Sequence, residues 1–311
     1  MRWLLALALP LLALPPVAAQ APAAQPEATV LLFHPLDDVD PFGIPFGAGD
    51  PFSARYAAVA AQTGQFDYPV FLADGVNPIQ ALPDAARPFQ GTLDAYEAAV
   101  AARPADSPLV LTLEATAAGK LTVTVEATTP IQQSQGQALR LRVAIAEDPV
   151  HYQPPAPVSN GVVEHRFTVR AYRDLGAIAL AGRSNFTASV PLDPSWQADH
   201  LLAAAWVQAD GTPGRFAPTE VVQATHAKLG APAVRQAAKG VLVEAYSATW
   251  CTPCLYGDLA LEQVALRHAG AQELPKPSAR YLEAPPQPAL AIGLAFLVGL
   301  AVASLPRGGR P

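Results

Sequence analysis

Two cysteines after an apolar run constrain this chain more than any other feature, and its 311 residues contain only these two. The run 241–246 leads through the motif Trp-Cys-Thr-Pro-Cys at 250–254 into 255–267, whose apolar residues recur at helical spacing. This order predicts a strand, a tight turn and a helix that opens on two thiols. Because a helix N-terminus carries unpaired N–H groups and a positive dipole end, it stabilises a thiolate on Cys251.

The spacing of the two thiols allows three kinds of chemistry. With two intervening residues, Cys254 can close a disulfide with Cys251, which is typical of thiol–disulfide exchange. A structural disulfide is an alternative, although a loop this short constrains little of the chain. A metal site needs two further ligands close by. The pattern favours exchange, with Cys251 as the attacking thiolate and Cys254 as the resolving thiol.

Length and charge set broad limits. A chain of 311 residues suggests two modest domains rather than one. The net charge is −6 and the sequence pI is about 5.5, so no basic surface is predicted that would attract nucleic acid. We predict no nucleic-acid partner and no cofactor.

The N-terminus has the pattern of a secretory signal peptide, residues 1–19. Arg2 precedes an apolar run at 3–14 and a small-residue end, which predicts cleavage after Ala19. We therefore expect an exported bacterial protein. In an oxidising compartment, a lone CxxC pair favours exchange.

The C-terminus has a second apolar run, 289–305, which is uncharged and follows a Pro-rich linker at 271–288. Its length is near the short limit for crossing a bilayer. Arg307 and Arg310 follow it, so the positive-inside rule places the body in the periplasm or at the cell exterior. We expect a C-terminal transmembrane anchor in the bacterial cell membrane; a sorting tail removed after export is the alternative.

Two regions precede the cysteine segment. Residues 27–104 predict strand, helix, strand, turn and helix. Residues 105–230 contain short segments of alternating apolar and polar residues separated by turns, which predict an antiparallel, immunoglobulin-like β-sandwich. Three histidines of this second region are scattered and indicate no catalytic constellation: His151, His165 and His200.

The cysteine segment, 237–270, ends after one strand and one helix, and such a unit cannot bury its own faces. Residues 27–104 supply the elements that a thioredoxin fold needs after its CxxC helix. We therefore predict an α/β thioredoxin-like domain built from two separated chain segments in circularly permuted order. The all-β sandwich is inserted between them as an independent body, and the transmembrane helix follows. Closure within one chain is favoured because domain termini commonly lie close together; pairing between chains, or a cysteine unit that never packs, are the alternatives.

Several motifs resemble a family of secreted thioredoxin-like bacterial proteins, some described as outer-membrane proteins, in which a β-sandwich follows the redox fold. The family's first strand ends in Glu-x-Phe-[Ser/Thr] before its CxxC, and this chain has Tyr in place of Phe. The matching positions are Glu244, Tyr246, Ser247, Cys251 and Cys254. Further matches come in rotated order: Phe33-His34, Asp50-Pro51-Phe52, Arg55, Tyr68-Pro69, Asp74-Gly75 and the sandwich motif His165 to Arg170. The resemblance covers most of 29–270.

The resemblance and the motif together imply roles around the cysteines. The resemblance implies that Pro69 is the cis-proline that lies beside the sulfurs and holds the substrate backbone. Trp250 is expected to shield the site, and Thr252 and Pro253 to influence the redox potential. Glu244 is expected either to relay protons to Cys254 or to serve as a hydrogen-bonded strand-end carboxylate.

The predicted function is a membrane-anchored, extracytoplasmic thiol–disulfide oxidoreductase. Its expected partners are protein thiols or disulfides and a membrane redox partner. One alternative is a non-catalytic envelope-binding module on a thioredoxin scaffold. Another is copper delivery by Cys251, Cys254 and His34, because thiolates suit Cu(I).

Overall fold

The structure is a computed structural model that describes residues 27–33, 55–56, 59, 69–132, 135–151, 162, 164–248 and 251–268. Several sequence predictions concern residues outside these ranges. They are the signal peptide 1–19, His34, the motif 50–52, Trp250, the linker 271–288 and the apolar run 289–305.

The described ranges contain fourteen strands and two complete helices. The strands are β1 (Glu27–Phe33), β2 (Val70–Ala73), β3 (Val76–Gln80), β4 (Leu109–Ala115), β5 (Lys120–Ala127), β6 (Gln137–Glu147), β7 (Val150–His151), β8 (Glu164–His165), β9 (Thr168–Ala177), β10 (Gly182–Ser189), β11 (Leu201–Gly211), β12 (Val221–Lys228), β13 (Val234–Gln236) and β14 (Gly240–Tyr246). The helices are α1 (Pro88–Ala101) and α2 (Cys254–His268), and Ala198–His200 forms one 3₁₀ turn. Arg55, Tyr56 and Val59 are also helical.

The strands form one large sheet, one smaller sheet and a short pair. The large sheet has eight strands in the order β12-β11-β6-β9-β1-β14-β2-β3. The smaller sheet has the order β10-β5-β4-β13, and β7 pairs with β8. The smaller sheet shares a hydrophobic core with β6, β11 and β12, so two layers face each other in this part of the molecule.

The predicted fold class is wrong. Strands make up 48% of the described residues and helices 18%, which does not agree with an α/β thioredoxin-like domain. The reason lies in the alternating pattern of 105–230, which supplies nine of the fourteen strands and extends the sheet of the flanking segments. No helix in the described ranges is long and apolar enough to cross a membrane.

The predicted pairing of the two separated segments is confirmed. β14 lies beside β1 in parallel register from Glu27↔Gly240 to Phe33↔Tyr246, and its other edge pairs antiparallel with β2. Every residue of β14 is buried, which explains its nearly continuous apolar sequence. The pairing occurs within one chain.

The predicted independence of the β-sandwich is wrong. β9 joins β1 through the parallel pair Leu32↔Thr168, and the Leu32 N–H donates to the Phe167 carbonyl at 2.8 Å. These contacts use backbone groups on the edge of β1 that β14 leaves open. The sandwich strands therefore continue the sheet that contains the strand preceding the cysteines.

The two faces of this sheet have different cores. Both helices cover one face, where Leu93 and Tyr96 of α1 and Leu261 of α2 pack on Val243. The opposite face packs Tyr246 against residues such as Trp206. The cysteines belong to the helical face because α2 carries Cys254.

Candidate functional site

Cys251 and Cys254 form a disulfide at the start of α2, with their Cα atoms 5.3 Å apart. The predicted order of strand, turn and helix is confirmed, because β14 ends at Tyr246 and α2 begins at Cys254. Cys251 lies in the preceding turn, where its N–H donates to the Ala248 carbonyl at 3.1 Å. Cys251 is 5% exposed and Cys254 is 0% exposed, so Cys251 is the more accessible residue of the pair.

The residues between the cysteines face outward. Thr252 is exposed and Pro253 is half-buried, whereas Ala248 is buried against both cysteines. The turn therefore presents Thr252 to solvent beside Cys251, the more accessible cysteine. The shielding role predicted for Trp250 concerns a residue outside the described ranges.

Pro69 packs against α2 at Gly257, three residues past Cys254. A Cβ atom on Gly257 would lie 2.8 Å from the Cβ of Pro69 and 3.3 Å from the Tyr96 hydroxyl oxygen. Only glycine allows the helix to approach this closely. The structure thus brings Pro69 to the cysteine helix, while the peptide bond that precedes it involves Tyr68, which is outside the described residues.

Glu244 lies on the opposite face of β14 from α2. Side chains alternate along a strand, and the neighbouring Val243 packs with the helices. The Glu244 carboxylate accepts two hydrogen bonds from Arg55, at 2.6 and 2.8 Å, and both side chains are buried. This geometry directs Glu244 away from Cys254 and favours the structural role over the proton relay.

Asp258 is the acidic residue that sequence reasoning missed. It lies four residues after Cys254 in α2, so the two side chains are neighbours on one helix face, with Cβ atoms about 5–6 Å apart. The Ser247 hydroxyl donates to Asp258 Oδ2 at 3.0 Å. Burial raises the pKa of Asp258 to about 7, although the bond from Ser247 acts in the opposite direction. A carboxyl group that is half ionised near neutral pH can accept or return a proton.

The Asp258 carboxyl also influences Tyr96 of α1. Burial raises the pKa of the Tyr96 hydroxyl, and the charge of Asp258 raises it further. Tyr96 therefore stays neutral, and it stacks on Phe71 of β2 with ring centroids 3.8 Å apart.

A buried ion triad lies further along α2. Arg166, between β8 and β9, donates to Glu262 Oε1 at 2.8 Å and to Asp148 Oδ2 at 2.9 Å. Burial alone would lower the pKa of Arg166, but Asp148 and Glu262 raise it. Burial raises the pKa of Glu262, and Arg166 opposes this. The triad joins α2 to the sandwich strands.

A small cleft lies along the contact between α2 and the residues around Arg166. The side chains that line it include Glu164, His165, Arg166, Asp258 and Glu262. Burial lowers the pKa of His165 to about 4, so this histidine is neutral at neutral pH. In the described ranges, no group of three or more His, Cys, Asp or Glu side chains has the arrangement of a metal site.

Comparisons with known proteins add little to this geometry. No protein-family model and no curated protein matches the chain. A solved structure of HBP35 of Porphyromonas gingivalis is similar to it, with a TM-score of 0.36 and 20% identity. The match covers 57% of this chain and 58% of that chain, which is less than two thirds of either. A likeness this slight assigns neither a fold nor a function.

Proposed function

We propose that this chain is a thiol–disulfide oxidoreductase whose redox centre is the Cys251–Cys254 pair. One observation carries the proposal: the only two cysteines are joined at the start of α2, and the cysteine outside the helix is the more exposed residue. A helix N-terminus favours the thiolate form of a nearby cysteine. The signal-peptide pattern at 1–19 supports action in an exported compartment.

The Cys251 thiolate attacks a substrate disulfide, forms a mixed disulfide and releases the first substrate thiolate. Cys254 then loses its proton, and its sulfur attacks Cys251. The Cys251–Cys254 bond forms, the bond to the substrate breaks, and the second substrate thiolate leaves. The substrate gains the two electrons that the dithiol loses, and the reverse sequence oxidises a substrate dithiol.

Asp258 is our candidate for the proton acceptor of Cys254. It stands one helical turn from that thiol, and its pKa near 7 suits transfer in both directions. Protein thiols or disulfides are the proposed substrates, and a second redox protein must reset the pair.

Equilibration of the full-length protein with glutathione buffers, combined with a protein-disulfide reduction assay, tests the proposal. We expect wild type to turn over, Cys251→Ser to be inactive and Cys254→Ser to accumulate a mixed disulfide with substrate. A reduction potential below about −300 mV without turnover would support the structural-disulfide alternative. Absence of any mixed disulfide in Cys254→Ser would contradict exchange.

A further inference from the structure

The residues that lead from β8 into β9 dock directly on the helix that carries Cys254. We call this segment, 164–168, the strap. Its Phe167 is buried and belongs to the same hydrophobic cluster as Ala260, Leu261 and Val264 of α2. The Phe167 carbonyl also accepts the hydrogen bond from Leu32 in β1. The strap therefore contacts both the cysteine helix and the strand beside β14.

Arg166 is the charged anchor of the strap. Its guanidinium group lies between Asp148 and Glu262, and its Cζ atom lies 5.2 Å from the ring centroid of Phe167. All three charged side chains of the triad are at most 6% exposed. In such a setting, a forked guanidinium group fixes the direction of both partners.

The anchor is placed to act on the cysteine end of α2. Glu97 of α1 binds the far end of the helix, with an ion pair of 3.3 Å to Arg267 and a contact of 2.8 Å between its Oε2 and His268 Nε2. Among the ion pairs that α2 makes within the described residues, the one between Glu262 and Arg166 lies nearest to Cys254. Cys254, Asp258 and Glu262 follow at intervals of four residues, so the anchor lies two turns from the thiol on the same helix face.

We propose that the strap belongs to the dithiol site and that Arg166 is its positioning residue. By holding Glu262, Arg166 keeps α2 in the place where Cys254 meets Cys251 when the disulfide closes. The closing step depends on the effective concentration of the second thiol near the first sulfur, which falls when the helix is free to shift. The inference deepens the proposed function by assigning the sandwich segment a role in setting the dithiol–disulfide equilibrium.

The test compares Arg166→Met with Arg142→Met in the full-length protein. Arg142 is a matched control because its side chain is also 6% exposed and contacts two carboxylates, Asp174 and Asp210. It lies on β6, and its hydrogen bonds are to Asp210 and Gln208 rather than to α2. Both substitutions remove one buried cation of equal size.

We expect Arg166→Met to lower the equilibrium constant for disulfide formation against glutathione about tenfold, equivalent to about 30 mV for two electrons. The control should stay within about twofold, and Arg166→Lys should restore part of the loss because it retains the charge without the fork. In stopped-flow reaction of the reduced protein with dithiobis(nitrobenzoate), Arg166→Met should slow the second thiolate release, by Cys254, and spare the first, by Cys251.

The proposal would be overturned if Arg166→Met matched the control in two quantities: the equilibrium constant for disulfide formation and the rate of the second thiolate release, by Cys254. Equal losses in both arginine variants would also overturn it, because they would reflect general destabilisation. Failure of the proposed function is a separate result: wild type would then lack turnover of protein disulfides, whatever the variants do to the equilibrium.

Discussion

Replacement of Asp258 by asparagine should change how stability depends on pH. Burial raises the pKa of this carboxyl from 3.8 to about 7 in the folded protein. The folded state therefore binds more protons than the unfolded state between these values, and the stabilisation, complete below the unfolded pKa, is lost as pH rises through about 7. Asparagine has a similar shape and no titrating group, so the variant should not show this loss.

The magnitude follows from the size of the shift. A difference of about three pKa units corresponds to about 4 kcal/mol as an upper limit. Asp258 is half-buried, so solvent screens part of this energy, and we expect about 1–2 kcal/mol. Relative to wild type, Asp258→Asn should gain that amount in free energy of unfolding between about pH 4 and about pH 8.

Denaturant unfolding of both oxidised proteins across this pH range measures the difference directly. Asp193→Asn serves as a control, because Asp193 is exposed and a backbone hydrogen bond from Ser195 lowers its pKa. Asp193 contributes stability above its unfolded pKa and loses this contribution only as pH falls. The stability difference between wild type and Asp193→Asn should therefore stay constant between about pH 4 and about pH 8 and shrink only at acid pH. A stability difference between wild type and Asp258→Asn that does not vary with pH would refute the raised pKa.

Asp258→Asn also tests whether Asp258 accepts the proton of the Cys254 thiol. In the reaction of the reduced protein with dithiobis(nitrobenzoate), the second thiolate release, by Cys254, should slow about tenfold or more at neutral pH. The reason is that the Cys254 thiol loses a nearby base. The earlier attack by Cys251 should keep its rate, which also reports that the site is folded. An unchanged rate of thiolate release by Cys254 would show that water, and not Asp258, removes the proton from the Cys254 thiol.

Three further predictions concern other parts of the site. Limited alkylation of the reduced protein, mapped by mass spectrometry, should modify Cys251 before Cys254, and the reverse order would contradict the assigned roles. Gly257→Ala should lower the free energy of unfolding by about 1–3 kcal/mol because its Cβ would overlap Pro69; an unchanged urea midpoint would disprove the close packing. Glu244→Gln should lower the free energy of unfolding by about 3–5 kcal/mol, because it leaves the Arg55 cation without its counterion. The folded fraction should keep both thiol-exchange rates. A selective loss of the Cys254 step would instead support a proton relay through Glu244.

The sequence predicted the local arrangement of the site and the strands beside it. An apolar run before CxxC defines a strand, and helical spacing after it defines a helix, because both signals depend on near neighbours. The position of β14 between β1 and β2 also followed, since neither segment could bury its apolar faces alone.

The continuity of the large sheet was not predictable in the same way. It depends on a single parallel pair, Leu32↔Thr168, and on one backbone hydrogen bond between distant parts of the chain. Alternation shows that β9 is a strand, but it does not show which edge the strand joins. The alternating pattern of 105–230 therefore predicted strands correctly, while their assignment to an independent body was wrong.

The partner of a buried side chain is equally hard to predict from the sequence, as Glu244 shows. A carboxylate within an apolar strand signals an unusual role, but its partner Arg55 is 189 residues away in sequence. Asp258 carried a usable signal in its four-residue spacing from Cys254, which becomes informative once α2 is known to bury that face.

The geometry of β14 and α2 explains why the acid–base group belongs to the helix. In a strand of period two, Glu244 shares a face with Leu242 and Tyr246, and that face packs against Trp206 rather than the helices. In a helix of period 3.6, residues four apart share a face. One stripe of α2 therefore carries the resolving thiol, the carboxyl with the raised pKa and the residue that Arg166 anchors. Because these three groups belong to one rigid helix, a shift that disturbs the anchor must also move the acid and the thiol.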